Sequence, residues 1–239
     1  MTALLWIMGI GLIVALLYWL IVIGEGTYLG RPVVRWIYTR GANIYDQVRE
    51  RVTKTDQVVF IMPLRLALLH TPFAPTLDVA TGTGRVPLLL ANEDWYHGRI
   101  IGLDLTPRML EIARNKAIEA GYDQRIEWIL GSGDDLSQWQ DATFGLVTCL
   151  EAVEYFPRPR RAIREMWRVL QPEGTLIISA WTANHARWLP VKSLTAQQMQ
   201  AFLADLGCQH CDIRAWQTGH YDLVIAVKNQ NSAIKNQNR

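Results

Sequence analysis

The chain has 239 residues, half of them hydrophobic, with 24 basic and 22 acidic side chains and a formal net charge of +2. That length supports one sizeable α/β domain with an appendage rather than two full domains, and so mild a charge balance leaves no electrostatic footprint for nucleic acid. Three cysteines are too few for a disulfide framework and fit a reducing compartment.

The first feature in chain order is ALLWIMGIGLIVALLYWLIVI, residues 3–23, a run without a single charge. It is long enough to cross a bilayer core as a helix and lacks the polar face of a soluble surface helix. It also lacks the basic start and small-residue cleavage site of a secretory signal, so a retained single-pass anchor is expected. Arg31, Arg35 and Arg40 follow the run closely. The positive-inside bias then puts the N-terminus outside and the rest of the chain in the cytoplasm. RPVVRWIYTR, residues 31–40, reads as an interfacial segment or a linker helix. The expected division is an anchor over 1–24, a juxtamembrane linker over 25–44, a globular domain over 45–228 and a disordered tail over 229–239.

After Gly41 the pattern becomes globular. Residues 43–62 read as a helix, with a further short helix around 64–70 before TPFAP breaks it. Strands are predicted over 76–80, 100–104, 126–130, 144–150 and 175–180, separated by helices near 86–92, 107–120 and 160–170. Short apolar runs alternating with amphipathic segments of helical length argue a parallel sheet covered on both faces. TAQQMQAFLADLG reads as a capped helix with Gly207 past its end. CDIRAW and YDLVIAVK, joined by a short turn, must form an antiparallel hairpin at one sheet edge.

LDVATGTGR, residues 77–85, carries the first chemical signal. In an open α/β sheet the ligand sits beyond the carboxyl ends of the strands, and Gly82 and Gly84 fall just there. Asp104 ends the second strand about twenty residues on, where an acid can accept hydrogen bonds from ribose hydroxyls. That pair fits either a dinucleotide or an adenosyl cofactor. A dinucleotide fingerprint requires a third glycine three residues after Gly84, and that position is Pro87. A nicotinamide-dependent oxidoreductase is thereby disfavoured, and no Gly-Lys-Ser/Thr marks a P-loop.

Together, LDVATGTGR, IIGLDLTPRMLEIAR, ATFGLVTCLEAVEYF and EMWRVLQPEGTLIIS resemble, in order, motifs of the class I S-adenosylmethionine-dependent methyltransferases that act on small molecules, quinones and lipids. The resemblance spans about residues 45–228. It implies a Rossmann-like α/β fold with a seven-stranded sheet whose last strand is antiparallel, preceded here by one N-terminal transmembrane helix. It also implies S-adenosyl-L-methionine as cofactor. Asp78, Ala80, Gly82 and Gly84 would surround its methionine part, and Leu150 and Glu151 would lie beside them. Asp104 would hold the ribose, with Leu105 and Met109 near the adenine. Ser132, Gly133 and Asp134 occupy the segment that closes over adenine in the family. There the family usually has Asp and Ala where this chain has Ser132 and Gly133, and Asp134 is the nearest substitute acid. Gly145 also replaces a usual Asp, a change read as bearing on stability.

Glu151 and Glu154 fall just past the fourth strand and His185 follows the fifth, which makes these three the candidates for handling the acceptor. Their plain alternatives are helix-start carboxylates and a surface histidine. Tyr155 stands where many relatives have His, and a phenol is a poor base at neutral pH. Tyr45 either lids the cofactor or packs. Cys208 and Cys211 lack a second cysteine pair, so no metal site is expected. The sequence thus points to a membrane-anchored methyltransferase with a small-molecule or lipid acceptor. Its rivals are a methyltransferase-like module without turnover, serving assembly at the membrane, and the oxidoreductase disfavoured above. Removal of residues 1–40 is expected to leave cofactor affinity nearly unchanged while reducing activity on membrane extract.

Overall fold

A computed structural model describes residues 2–53, 56–217 and 219–230. The chain opens with α1 (Thr2–Tyr18), which runs on into a π-helical turn, Trp19–Ile23. The apolar side chains of this helix are exposed, Trp6 by 75% and Leu12 by 70%. Residues Leu4–Ile23 are long and apolar enough to cross a membrane. A tight strap, residues 24–30, follows; Glu25, Gly26 and Gly30 all take positive φ in it.

Two helices come next, α2 (Arg31–Thr53) and α3 (Asp56–Leu68). Here the structure departs from the sequence reading. Residues 31–40 are the first turns of one continuous helix, which passes through Gly41 and through the expected linker boundary at residue 45. Nothing lies within 4 Å of a Cβ built on Gly41, so this glycine answers no packing demand. Its cost, about 1 kcal/mol against alanine, is overridden by the rest of the helix.

The sheet contains β1 (Thr76–Val79), β2 (Ile100–Asp104), β3 (Ile126–Leu130), β4 (Phe144–Cys149), β5 (Leu170–Trp181), β6 (Cys208–Ala215) and β7 (Tyr221–Lys228). Its order is β3-β2-β1-β4-β5-β7-β6. The first five strands are parallel, and β7 inserts antiparallel between β5 and β6. The expected terminal hairpin and antiparallel last strand are therefore present. Strand β5 begins earlier than predicted, because Leu170 already pairs with Phe144 before a register shift.

The connecting helices are α4 (Arg85–Ala91), α5 (Pro107–Glu119), α6 (Pro159–Val169), α7 (Ala183–Ala186) and α8 (Ala196–Asp205). Helix α8 starts with a capping box: Thr195 accepts from the Gln198 amide while the Gln198 side chain accepts from the Thr195 amide. Alternation along the strands divides the core in two. Leu77, Val79 and Leu103 pack with Ile163, Met166 and Phe202 on one face. Ile100, Leu146 and Ile177 pack with Phe60, Leu64 and Leu90 on the other. Strand order reverses between β1 and β4, which opens a crevice at their carboxyl ends. The part of the expected disordered tail beyond residue 230 lies outside the described residues.

Gly145, the departure in the fourth-strand motif, has a local cause. A Cβ there would lie 2.5 Å from the Cβ of Ala74, while the Gly145 amide donates to the Pro75 carbonyl at 2.9 Å. Restoring the common acid by Gly145→Asp should cost about 1–3 kcal/mol through overpacking. Gly41→Ala, in open helix surface, should instead gain up to about 1 kcal/mol. Thermal unfolding of the full chain in detergent micelles checks both; a Gly145→Asp midpoint at or above wild type contradicts the packing account.

Candidate cofactor cleft

The turn after β1 fixes the site. Ala80 and Gly82 both have φ of 56°, a left-handed conformation that costs a residue with a Cβ and none for glycine. This bend aims the Gly82 amide at Asp104, whose Oδ2 accepts it at 2.8 Å. Oδ1 of the same carboxylate accepts the Thr106 amide at 2.8 Å. Asp104 is buried at the end of β2; burial pushes its carboxyl above the ordinary range, and the amide bonds pull against that shift. Gly84, at φ 84°, lies away from this cleft. A Cβ there would meet the Trp128 ring at 2.6 Å, so its task is to let α4 close on β3.

Around Asp104 is a cleft with about 680 Å³ of empty space, counting its open mouth. Ala80, Gly82, Asp104, Leu105 and Met109 line it, as the sequence reading expected. Ser132, Gly133, Leu150 and Glu151 complete the expected set on its walls. Asp78 and Asp134 take other positions. Asp78 receives hydroxyls from Thr148 and, at 2.6 Å, from Thr81, and so ties β1 to β4 and to its own turn. Burial raises its carboxyl to about 6. Asp134 is fully buried behind the wall, paired with Arg31 and accepting from Ser132 Oγ at 2.6 Å.

The roof was missed by the sequence reading. Arg31, Val34 and Tyr38 of α2 line the cleft beside Tyr45, and Tyr155 and Phe156 close it from the exit of β4. The spacing of 31, 34, 38 and 45 puts all four on one helical face, a signal available once the helix is known to be continuous. The strap is tied down as well. Thr27 donates to the Glu154 carbonyl, and Tyr28 donates to the Pro190 carbonyl at 2.8 Å. Residues 31–40 thus supply part of the cleft wall, which bears directly on the expectation that removing residues 1–40 leaves cofactor affinity nearly unchanged. A chain cut there loses three wall residues and leaves Asp134 without its guanidinium partner.

The three candidate acceptor-handling residues lie in different settings. Glu151, at φ 54°, lines the cleft, but its Oε1 accepts from Arg49, from Arg85 at 3.2 Å and from Gln217 at 2.7 Å. It is a carboxylate neutralised by two guanidinium groups. Burial pulls Arg85 below its ordinary value, and the neighbouring Arg49 charge adds to the effect. These arginines line a second, more polar hollow behind Tyr45, with Asp78, Thr81 and Thr83. Glu154 is buried and accepts from Tyr221 at 2.5 Å, off the cleft wall; burial raises its carboxyl to about 7. His185 lies tilted against His220 with ring centroids 4.5 Å apart and also lies off the wall.

An open parallel sheet, a glycine turn bonded to an acid on the next strand and a roofed crevice at the switch point define a class I methyltransferase-type fold. Residues 77–178 match the family model described as a methyltransferase domain. Over 113 residues it is 40% identical to a demethylmenaquinone methyltransferase of Deinococcus radiodurans, covering 47% of this chain and 44% of that one. Over 134 residues it is 31% identical to a ubiquinone biosynthesis O-methyltransferase of Idiomarina loihiensis, covering 54% and 53%. The chain spans about half the length of the curated relatives it matches. Among solved structures, a SAM-dependent methyltransferase from Aquifex aeolicus superposes with a TM-score of 0.57 at 17% identity, covering 74% of this chain and 95% of that one. The [4+2]-cyclase SpnF superposes with a TM-score of 0.55 at 19% identity, covering 69% and 79%. The same fold thus serves a protein named for a different reaction, so the chemistry has to be argued from the cleft.

Glu154 generates a test by its titration. Its folded value of about 7 lies above the ordinary 4.5, so its stabilising contribution is complete below pH 4.5 and is lost as pH rises through 7. Glu154→Gln keeps an acceptor for Tyr221 without the charge. The variant should gain on wild type in unfolding free energy as pH rises from 4.5 to 8, by on the order of 3 kcal/mol. A gap that does not change with pH contradicts this assignment.

Proposed function

We propose that this chain is an S-adenosylmethionine-dependent methyltransferase, tethered to a membrane by its N-terminal helix and acting on a lipophilic aromatic acceptor of the quinol class. The observation that carries the reading is the Asp104 carboxylate, fixed in the cleft by the Gly82 and Thr106 amides with lone pairs left for a diol. The rest of the wall suits the same cofactor. Leu105 and Met109 offer apolar surface for adenine, with Gly131, Ser132 and Gly133 on the same wall. Ala80, Gly82 and Leu150 would take the methionine part.

When bound, the cofactor supplies a methyl group on a sulfonium, already activated toward a nucleophile. The residues of the chain then have to orient the acceptor, exclude water and remove a proton. Tyr38, Tyr45 and Tyr155 around the mouth, with ring centroids 5.5–6.3 Å apart, suit a flat aromatic acceptor. The two relatives named for demethylmenaquinone methylation and ubiquinone biosynthesis support the same class. Residues 1–24 would be the anchor, 25–44 the strap and the first half of the roof, and 45–228 the remainder of the catalytic unit. Arg31, Arg35 and Arg40 beyond the apolar helix favour a cytoplasmic catalytic side.

Calorimetric titration of the full chain in detergent with S-adenosylmethionine tests the reading. Wild type should bind with micromolar affinity. Asp104→Ala should lose about 10²-fold or more, as expected for two hydroxyl bonds to a charged group. A folded wild type that does not bind, or an Asp104→Ala variant of unchanged affinity, contradicts the assignment of the cleft.

A further inference from the structure

A phenolic acceptor must give up a proton as it is methylated, and the acids in or near the cleft are already engaged. Both oxygens of Asp104 hold backbone amides. Glu151 accepts from Arg49, Arg85 and Gln217. Asp134 is behind the wall against Arg31, and Glu154 faces Tyr221 away from the cleft. The roof offers a different route. Tyr38 lines the cleft and donates its hydroxyl to Glu25 Oε2 at 2.7 Å. Tyr155 lies edge-on to the Tyr38 ring with centroids 5.5 Å apart. Glu25 itself has a φ of 44°, a left-handed conformation that is strained for a non-glycine residue. The strap holds it there: Thr27, two residues on, donates to the Glu154 carbonyl, and Gly26 packs so closely on α2 that a Cβ would meet Val33 at 2.8 Å.

We propose that Tyr38 takes the hydroxyl proton of the acceptor and passes its own proton to Glu25, which makes the segment next to the apolar helix the source of the base. The inference rests on the quinol-methyltransferase reading above. As the acceptor O–H bond breaks, its proton bonds to Tyr38 Oη, while the proton already on Oη moves to Glu25 Oε2. The electron pair left on the acceptor oxygen forms the new bond to the methyl carbon, either at oxygen or, delocalised, at a ring carbon; in the second case that carbon then loses its hydrogen to water as a proton and the ring oxygen regains one, which restores the aromatic ring. The pair of the breaking S–CH3 bond stays on sulfur. Glu25 is half-buried and returns its proton to water. Tyr38 serves as a relay because it does not ionise: burial, followed by Tyr155, Glu25 and Tyr45, pushes its hydroxyl well above the ordinary phenol value. Burial, with Glu25, Tyr221 and Glu154 facing it, likewise pushes the Tyr155 hydroxyl well above the ordinary phenol value. Tyr38 would touch the acceptor, whereas Glu25 acts through it as a positioning and proton-accepting residue.

The test uses the full chain in phosphatidylcholine–phosphatidylglycerol vesicles, with methyl-labelled S-adenosylmethionine and a reduced 2-prenyl-1,4-naphthoquinone as probe. Wild type, Tyr38→Phe, Glu25→Gln and Glu25→Asp are compared in kcat, in its pH profile and in cofactor affinity. Tyr38→Phe and Glu25→Gln should lose about 10²–10⁴-fold in kcat, the range of a general base, with cofactor affinity within about threefold of wild type. Glu25→Gln should also lose the acid limb of the wild-type pH profile, and Glu25→Asp should keep that limb with part of the rate. Glu25→Gln with wild-type rate and profile overturns the proposal. So does a loss of rate that tracks a loss of cofactor affinity with the acid limb intact, which marks a structural role. Wild type that binds the cofactor but leaves the quinol unlabelled overturns the acceptor reading, and this inference with it; labelling by wild type separates the two failures.

Discussion

The two hydrogen bonds that converge on Asp104 are the constraint from which the rest of the cleft follows. For the Gly82 amide to reach the carboxylate, the chain must turn sharply past the end of β1, with Ala80 and Gly82 both left-handed. That turn in turn needs an anchor, and Asp78 supplies it by gathering the hydroxyls of Thr81 and Thr148. Asp78 and Asp104 are both buried and both raised above the ordinary carboxylate range, so holding them costs stability at neutral pH. The parallel core on either side, from Leu77 to Phe202 on one face and Phe60 to Ile177 on the other, is large enough to carry that cost. Function here draws on stability stored elsewhere.

Glu151 organises the other side of the cleft in the same manner. One oxygen gathers Arg49 from α2, Arg85 from α4 and Gln217 from the turn between β6 and β7. That oxygen is occupied by three donors, so the strand ends hold this carboxylate in a structural role. Tyrosine rings then set the character of the mouth, since burial keeps Tyr38, Tyr45 and Tyr155 neutral and able to donate.

Much of the sheet was legible because each strand is a short apolar run bounded by turn residues, and because Thr195 and Gln198 announce the start of α8. The pairing of Gly82 with Asp104 was legible for the same kind of reason, as spacing between two strand ends. What the sequence concealed was tertiary. The basic side chains of residues 31–40 read as a flank of the apolar run, and Gly41 read as a break, so α2 was divided and its cleft face went unseen. Gly84 and Asp134 carry family-motif positions but spend themselves on packing against Trp128 and on pairing with Arg31. Glu25 could not be found from local pattern at all, because its partner lies thirteen residues on and across a turn.

The contact between Glu151 and its three donors also has a consequence for the order in which the molecule is made. Arg49 leaves the ribosome early, Glu151 much later and Gln217 near the end. Until the last hairpin has paired with β5, one of the donors that gathers the roof onto the sheet is missing. Such non-local closure is slow relative to helix formation. The N-terminal helices therefore have time to form before the cleft is sealed, so assembly runs from local helix to enclosure.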